Sequence, residues 1–197
     1  MSRTSSTLTS KKLVLLILGI ALGLLGLSRS EIVQIQSIID TPAPGNYRVI
    51  AVNDGDTITV DMNGAEERIR FIGVDTPETQ DPRKPVQCFG KAATNFATNL
   101  IMNESDSIVR LEADQLSSNR DRYNRLLRYV YLQDGRLAQA EIISQGYGFA
   151  YTSFPFTKSD EFKQLENSAR EQNLGLWNTC QPTPNDYGGY DSSNATE

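Results

Sequence analysis

The stretch Thr57-Ile-Thr-Val-Asp-Met-Asn-Gly-Ala-Glu-Glu-Arg-Ile-Arg-Phe71 decides the fold. Ile58, Val60 and Met62 alternate with Thr57, Thr59 and Asp61, the period of two that marks a half-buried strand. Asn63-Gly64 follows, a pair suited to the two left-handed positions of a tight hairpin turn. On the return, Ile69 and Phe71 face one way, Arg68 and Arg70 the other. Continued from Tyr47 to residue 74, the pattern predicts a three-stranded meander over residues 47–74, with no room for helical crossovers.

Outward from that meander the period changes. Phe89, Ala92, Ala93, Phe96, Ala97, Leu100 and Ile101 recur at helical spacing. Strands are predicted around Ile108 to Glu112 and from Leu126 to Leu132, the second closed by Asp134-Gly135. Leu137 to Ser144 reads as a short helix, and Phe162, Leu165 and Ala169 mark a last amphipathic one that ends near Gly175. Five strands, with a helix between the third and fourth, predict an α+β, mainly β class. The specific expectation is a closed antiparallel five-stranded barrel of the OB type with about three helices.

The ends read differently. Leu13 to Leu27 is an unbroken apolar run preceded by Arg3, Lys11 and Lys12 and no acid. Residues 1–30 are therefore expected to be a signal peptide or an N-terminal membrane anchor. The protein is exported if the segment is cleaved, and touches a membrane only through residues 13–27 if it is not. Thr41-Pro-Ala-Pro-Gly45 closes a linker over 31–45. Residues 46–178 form the domain, and 179–197, polar and without apolar period, are expected to be a disordered tail.

Composition narrows the chemistry. The 197 residues include no histidine and only two cysteines, which excludes imidazole bases, His-based triads and the usual zinc sites. The net charge is −5; without the four basic residues of 1–30, 15 basic residues face 24 acids, a net of −9. That balance argues against a protein that coats nucleic acid. In an exporting context Cys88 and Cys180 are the one pair available for a disulfide.

Three clusters carry candidate chemistry. Asp54-Gly-Asp-Thr57 is a polar turn; Ile58 occupies a position where an EF-hand needs an oxygen, so that motif is excluded. Arg70-Phe-Ile-Gly-Val-Asp75-Thr-Pro-Glu78 carries an arginine and two acids off one strand end, either as a surface ion pair or as a site. Arg120-Asp-Arg-Tyr-Asn-Arg125 sets three arginines before a strand, either a solvated loop or a phosphate-binding fork. Together they supply hard oxygen ligands for Ca²⁺ in Asp56 and Asp75, a carboxylate for activating water in Glu78, and cations for a phosphodiester in Arg70 and Arg125.

The chain resembles the thermonucleases, the staphylococcal nuclease-like domains, over about residues 46–178. The matching stretches are Asp54 to Thr57, Arg70 to Glu78, Phe89-Gly-Lys-Ala-Ala93, Asp121 to Leu132, Gly146-Tyr-Gly148 and Gly175-Leu-Trp177. The resemblance implies metal ligation by Asp56, Asp75 and the main-chain carbonyl of Thr76, with Asp54 close behind. It implies Glu78 as general base and Arg70 and Arg125 as phosphate-binding arginines. Tyr123 and Tyr151 match aromatics near the nucleotide, and Arg122, Arg83 and Lys84 supply further positive charge for substrate. Asn124 replaces a common glycine at a turn where asparagine tolerates positive φ, and Pro85 replaces another in the loop after Glu78.

The resulting expectation is a monomeric, Ca²⁺-dependent nuclease that hydrolyses DNA and RNA. The alternative is a catalytically inactive nuclease-like or OB-fold module that binds nucleic acid or protein. A single-strand binding protein of this class would carry a positive groove interleaved with aromatics.

Overall fold

The computed structural model describes residues 28, 45–79, 86–185 and 189–193. The apolar run 13–27, the linker to residue 44, and Arg83, Lys84 and Pro85 lie outside the described residues. Among the described residues no helix is long and apolar enough to cross a membrane.

Strands β1 (Asn46–Asp54), β2 (Thr57–Met62) and β3 (Ala65–Phe71) form the expected meander. Its second turn is Asn63-Gly64, with φ of 57° and 88°, which closes β2 on β3 with Met62 opposite Ala65. The pair β4 (Val74–Asp75) and β7 (Phe149–Ala150) stands apart from the main sheet. Helix α1 (Gly90–Thr98) runs on into a wider π-type coil over Asn99–Glu104, then β5 (Ile108–Glu112) and β6 (Leu126–Tyr131) follow. Helices α2 (Ala138–Ser144), α3 (Ser159–Glu171) and α4 (Leu176–Thr179) complete the domain, with a small hairpin of β8 (Thr183–Pro184) and β9 (Tyr190–Asp191).

The barrel closes in the order β1-β2-β3-β6-β5. It is mixed rather than antiparallel throughout, because β3 and β6 run parallel, Ile69 beside Leu126 and Arg70 beside Leu127. Parity requires such a contact: strand directions cannot alternate all the way round a closed ring of five. The core is the apolar set the alternation predicts, with Ile58, Val60, Ile69 and Val130 fully buried. Thr57 and Thr59 are also buried, on the face that a simple alternation leaves to solvent. Thr59 donates to Asn53 Oδ1 at 2.9 Å, and Thr57 is covered by the site described below.

Within the stretch expected to be a disordered tail, the described residues 180–185 and 189–193 include several that attach to the domain. Cys180 is disulfide-bonded to Cys88. Tyr190 packs on Trp177 and Phe149, with ring centroids 4.9 and 6.0 Å away. The Ser192 hydroxyl donates to the Cys88 carbonyl at 2.9 Å, and the Cys88 amide donates to the Ser193 carbonyl at 2.7 Å. Composition gave no apolar period there because a covalent bond, one aromatic ring and backbone hydrogen bonds hold the segment, not an apolar face.

Candidate active site

Asp56 is the junction of the site. Asp54 and Thr57 pair across the end of β1 and β2, leaving Gly55-Asp56 as the turn. The Asp56 amide donates to Asp54 Oδ1 at 3.1 Å, an Asx turn. A side chain at position 55 would collide with Thr76, whose atoms lie 2.8 Å from where a Cβ would stand, so glycine lets the two loops touch. Asp56 is buried and all its bonding goes inward. Its Oδ2 accepts from the Thr76 amide at 3.0 Å and the Thr76 hydroxyl at 3.2 Å, and lies 3.0 Å from Arg70 Nη1. Its Oδ1 accepts from the Thr57 hydroxyl at 3.0 Å.

Arg70 projects from β3 into this cluster, its side chain only 14% exposed. Nη1 also donates to the Val74 carbonyl at 2.7 Å, and Nη2 to Asp75 Oδ1 at 2.8 Å. The Asp75 side chain, 49% exposed, thus ties this buried guanidinium to the rim of the cluster. Burial opposes the guanidinium charge, but Asp56, Asp75 and Asp54 outweigh it and hold Arg70 above its ordinary value. Asp54 moves the other way for an acid: burial first, then the neighbouring Asp56 charge, push its carboxyl up to about 7.

Arg125 reaches the cluster from the other side of the parallel seam. Asp121 shapes its loop by accepting from the Tyr123 and Arg125 amides, each at 2.9 Å, and Asn124 takes the positive φ, 64°, that its short polar side chain tolerates. Asp121 Oδ2 accepts from Arg125 Nε at 2.7 Å, and Arg125 Nη1 donates to the Thr57 hydroxyl at 3.3 Å. Nη2 makes no hydrogen bond among the described residues. Tyr123, 62% exposed, lies beside both Arg125 and Arg122, whose Nη2 donates to the Tyr123 hydroxyl at 2.8 Å.

Glu78 is fixed through its backbone. Its amide donates to Gln87 Oε1 at 2.7 Å, and its carbonyl accepts from the Gln87 amide at 2.9 Å. Glu78 Oε1 accepts from the Thr79 amide at 2.8 Å. Asp75, Thr76 and Glu78 line one cavity of about 170 Å³. Tyr151 follows β7, its amide donating to the Gly73 carbonyl at 2.9 Å, and its ring lies 5.9 Å from that of the exposed Phe154. Buried Glu166 accepts from the Ala150 amide at 2.9 Å and so fixes the strand that carries Tyr151.

The structure thus joins Asp54, Asp56, Arg70, Asp75 and Thr76 by direct contact, brings Arg125 in through Thr57, and sets Glu78 beside Asp75 and Thr76. Arg122, Tyr123 and Tyr151 lie at the exposed margin. The bridging role of Thr57 and the clamp at Gln87 were not legible beforehand; the only signal for Thr57 was its place next to Asp56.

The family model described as staphylococcal nuclease homologue matches residues 68–179. This chain belongs to the staphylococcal nuclease family. It is 39% identical to the thermonuclease of Staphylococcus intermedius over 136 residues, which are 67% of this chain and 76% of that protein. It is 39% identical to the thermonuclease of Staphylococcus hyicus over 132 residues, 66% of this chain and 75% of the relative. It is 38% identical to endonuclease YncB of Bacillus subtilis (strain 168) over 126 residues, 63% of this chain and 57% of the relative. The match to the family model begins within β3, so the Asp54–Thr57 turn enters the site through the barrel and not through the matched span.

Proposed function

We propose that this chain is a calcium-dependent nuclease that hydrolyses phosphodiester bonds of DNA and RNA. That it is a nuclease, a hydrolase of phosphodiester bonds, follows from its family and its thermonuclease and endonuclease relatives. The observation that carries the finer reading is the cluster of Asp54, Asp56, Arg70 and Asp75, which Arg125 joins through Thr57.

The donor set fits a hard divalent cation. Asp56, Asp75 and the Thr76 carbonyl would hold it, all oxygen ligands of the kind calcium takes. Among the described residues no three acidic or cysteine side chains close on one point, so the main chain and water would complete the ligand set of a bound ion. Burial first, and the neighbouring Asp56 charge second, raise the Asp54 carboxyl, and an added cation beside it would favour its charged form. When bound, the ion supplies Lewis-acid polarisation of the phosphoryl oxygens. Glu78 orients the attacking water and takes its proton. Arg70 and Arg125 hold the non-bridging oxygens and stabilise their growing charge. Tyr123 and Tyr151 flank the nucleotide, and Arg122, Arg83 and Lys84 attract the phosphate backbone. Export fits the same reading, because a disulfide belongs in an oxidising compartment.

The test is incubation of the protein with plasmid DNA and with RNA in Ca²⁺, in Mg²⁺ or in excess chelator, beside Glu78→Gln. Cleavage of both substrates in Ca²⁺, lost in chelator and in the variant, is expected. Binding without cleavage in Ca²⁺ would assign the chain to inactive binding modules instead.

A further inference from the structure

Glu78 is gripped by a segment that lies outside the barrel. Gln87 Oε1 accepts from the Glu78 amide at 2.7 Å, and the Gln87 amide donates to the Glu78 carbonyl at 2.9 Å. The next residue is Cys88, bonded to Cys180. Just beyond it, α1 starts close against the same loop. A Cβ at Gly90 would stand 2.6 Å from Thr79 Cγ2 and 3.0 Å from the Pro77 carbonyl oxygen. The amide and the carbonyl of Cys88 are both engaged by the C-terminal segment, through Ser193 and Ser192. The Ser193 hydroxyl in turn donates to the Cys180 carbonyl at 3.1 Å. The attachments of Cys88 to the end of the chain therefore bear on the residue that holds Glu78.

The disulfide has an apolar cluster of its own. Cys180 packs with Phe149, Ala169, Leu176 and Trp177, and Cys88 and Tyr190 pack against them. The barrel core is a separate cluster, and neither cysteine lies in a barrel strand. Opening the S–S bond thus loosens the support of Glu78 and leaves the five-stranded ring closed. Phe149 extends the effect to β4, because it pairs with Asp75.

We propose that the Cys88–Cys180 disulfide is a redox switch on the nuclease site, with Gln87 as the positioning residue that carries it to Glu78. The bonded form turns over; the reduced form stays folded, still binds nucleic acid and turns over slowly. This rests on the nuclease reading above. The co-reactant is a dithiol. One of its thiolates attacks the sulfur of Cys88, the less buried partner, and Cys180 leaves as a thiolate that takes a proton. The second thiolate of the reductant then attacks its own sulfur in the mixed disulfide, and Cys88 leaves and takes a proton. Two electrons and two protons pass to the cysteines, and the dithiol becomes a disulfide. A reducing compartment thereby holds the chain at low activity, and an oxidising one completes the site.

The test compares oxidised protein with dithiothreitol-reduced protein, and Gln87→Ala in both states, on an oligonucleotide in Ca²⁺. Reduction should lower kcat about tenfold or more, as misplaced catalytic groups do, while KM, and Kd measured in chelator, stay near their oxidised values. Reoxidation should restore kcat. Gln87→Ala should lower kcat in the oxidised state, and reduction should then lower it little further. Hydrogen exchange in chelator gives a readout without catalysis. On reduction the Glu78 and Gln87 amides should exchange about tenfold or more faster, while β2 and β3 keep their protection. Unchanged kcat on reduction, or unchanged exchange at Glu78, overturns the proposal. Loss of the barrel's circular dichroism together with activity overturns it too, because the effect is then unfolding. If the oxidised protein cuts nothing in Ca²⁺, the nuclease reading falls, and the exchange measurement still decides whether the disulfide holds Glu78.

Discussion

Thr57 joins Arg125 to Asp56: its hydroxyl accepts from Arg125 Nη1 at 3.3 Å and donates to Asp56 Oδ1 at 3.0 Å. A single oxygen thereby ties the arginine of one loop to the acid of another. Thr57→Val keeps the shape and removes the oxygen. We expect kcat/KM to fall about tenfold or more, as misplaced catalytic groups do, while Thr57→Ser retains most activity. Steady-state kinetics on an oligonucleotide checks both.

Arg125 offers Nη2 beyond its bonds to Asp121 and Thr57. A lysine cannot hold both of those partners and also a phosphate oxygen. Arg125→Lys should therefore lose about a hundredfold in kcat. Turnover at the unaltered rate would remove Arg125 from the transition state.

Gly55 is the contact point of two loops. A methyl there would stand 2.8 Å from Thr76 Cγ2 and Oγ1. Gly55→Ala should cost about 1–3 kcal/mol in urea unfolding and lower activity by moving Thr76 off Asp56. A variant with native stability would show that the loops separate easily.

Asp114 ties two loops to β6. Its Oδ1 accepts from the Leu116 amide at 2.7 Å, and its Oδ2 accepts from the Tyr129 hydroxyl at 2.7 Å and from the Thr157 amide at 2.8 Å and hydroxyl. Burial works to raise its carboxyl, but the bonds from Thr157, Tyr129 and Leu116 outweigh that and hold it down to about 2. The folded value lies below the unfolded one. Its stabilisation is therefore complete above about pH 4 and is lost as pH falls toward about 2. Asp114→Asn should flatten the loss of stability across that window in denaturant titrations. At neutral pH it should cost about 1–3 kcal/mol.

The disulfide closes a loop with a sequence separation of 92. Reduction should lower unfolding free energy by about 4 kcal/mol in the chain-entropy model. Alkylation of the unreduced, denatured protein should add no mass, and two added groups would contradict the bond.

Much of this was legible in the sequence, for identifiable reasons. The hairpin at Asn63-Gly64 was readable because positive φ at two adjacent positions selects those residues. Asp56, Arg70, Asp75, Glu78 and Arg125 stood out because charged residues on strand ends are few and their chemistry is complementary. Thr57 and Gln87 did not, since a hydroxyl or amide reveals its role only through partners 68 and 9 residues away. The parallel seam was missed because local alternation carries no direction between strands far apart in sequence. The C-terminal hairpin was missed because its anchors are single residues without periodicity.

The seam between β3 and β6 has one further consequence. Parallel neighbours cannot be linked by a short turn, so Arg70 and Arg125 travel on separate stretches of chain, with α1 and β5 between them. Neither a fragment ending before β5 nor one starting after β3 holds both arginines. The proposed active centre comes into being when the ring shuts, so turnover would report barrel closure during folding.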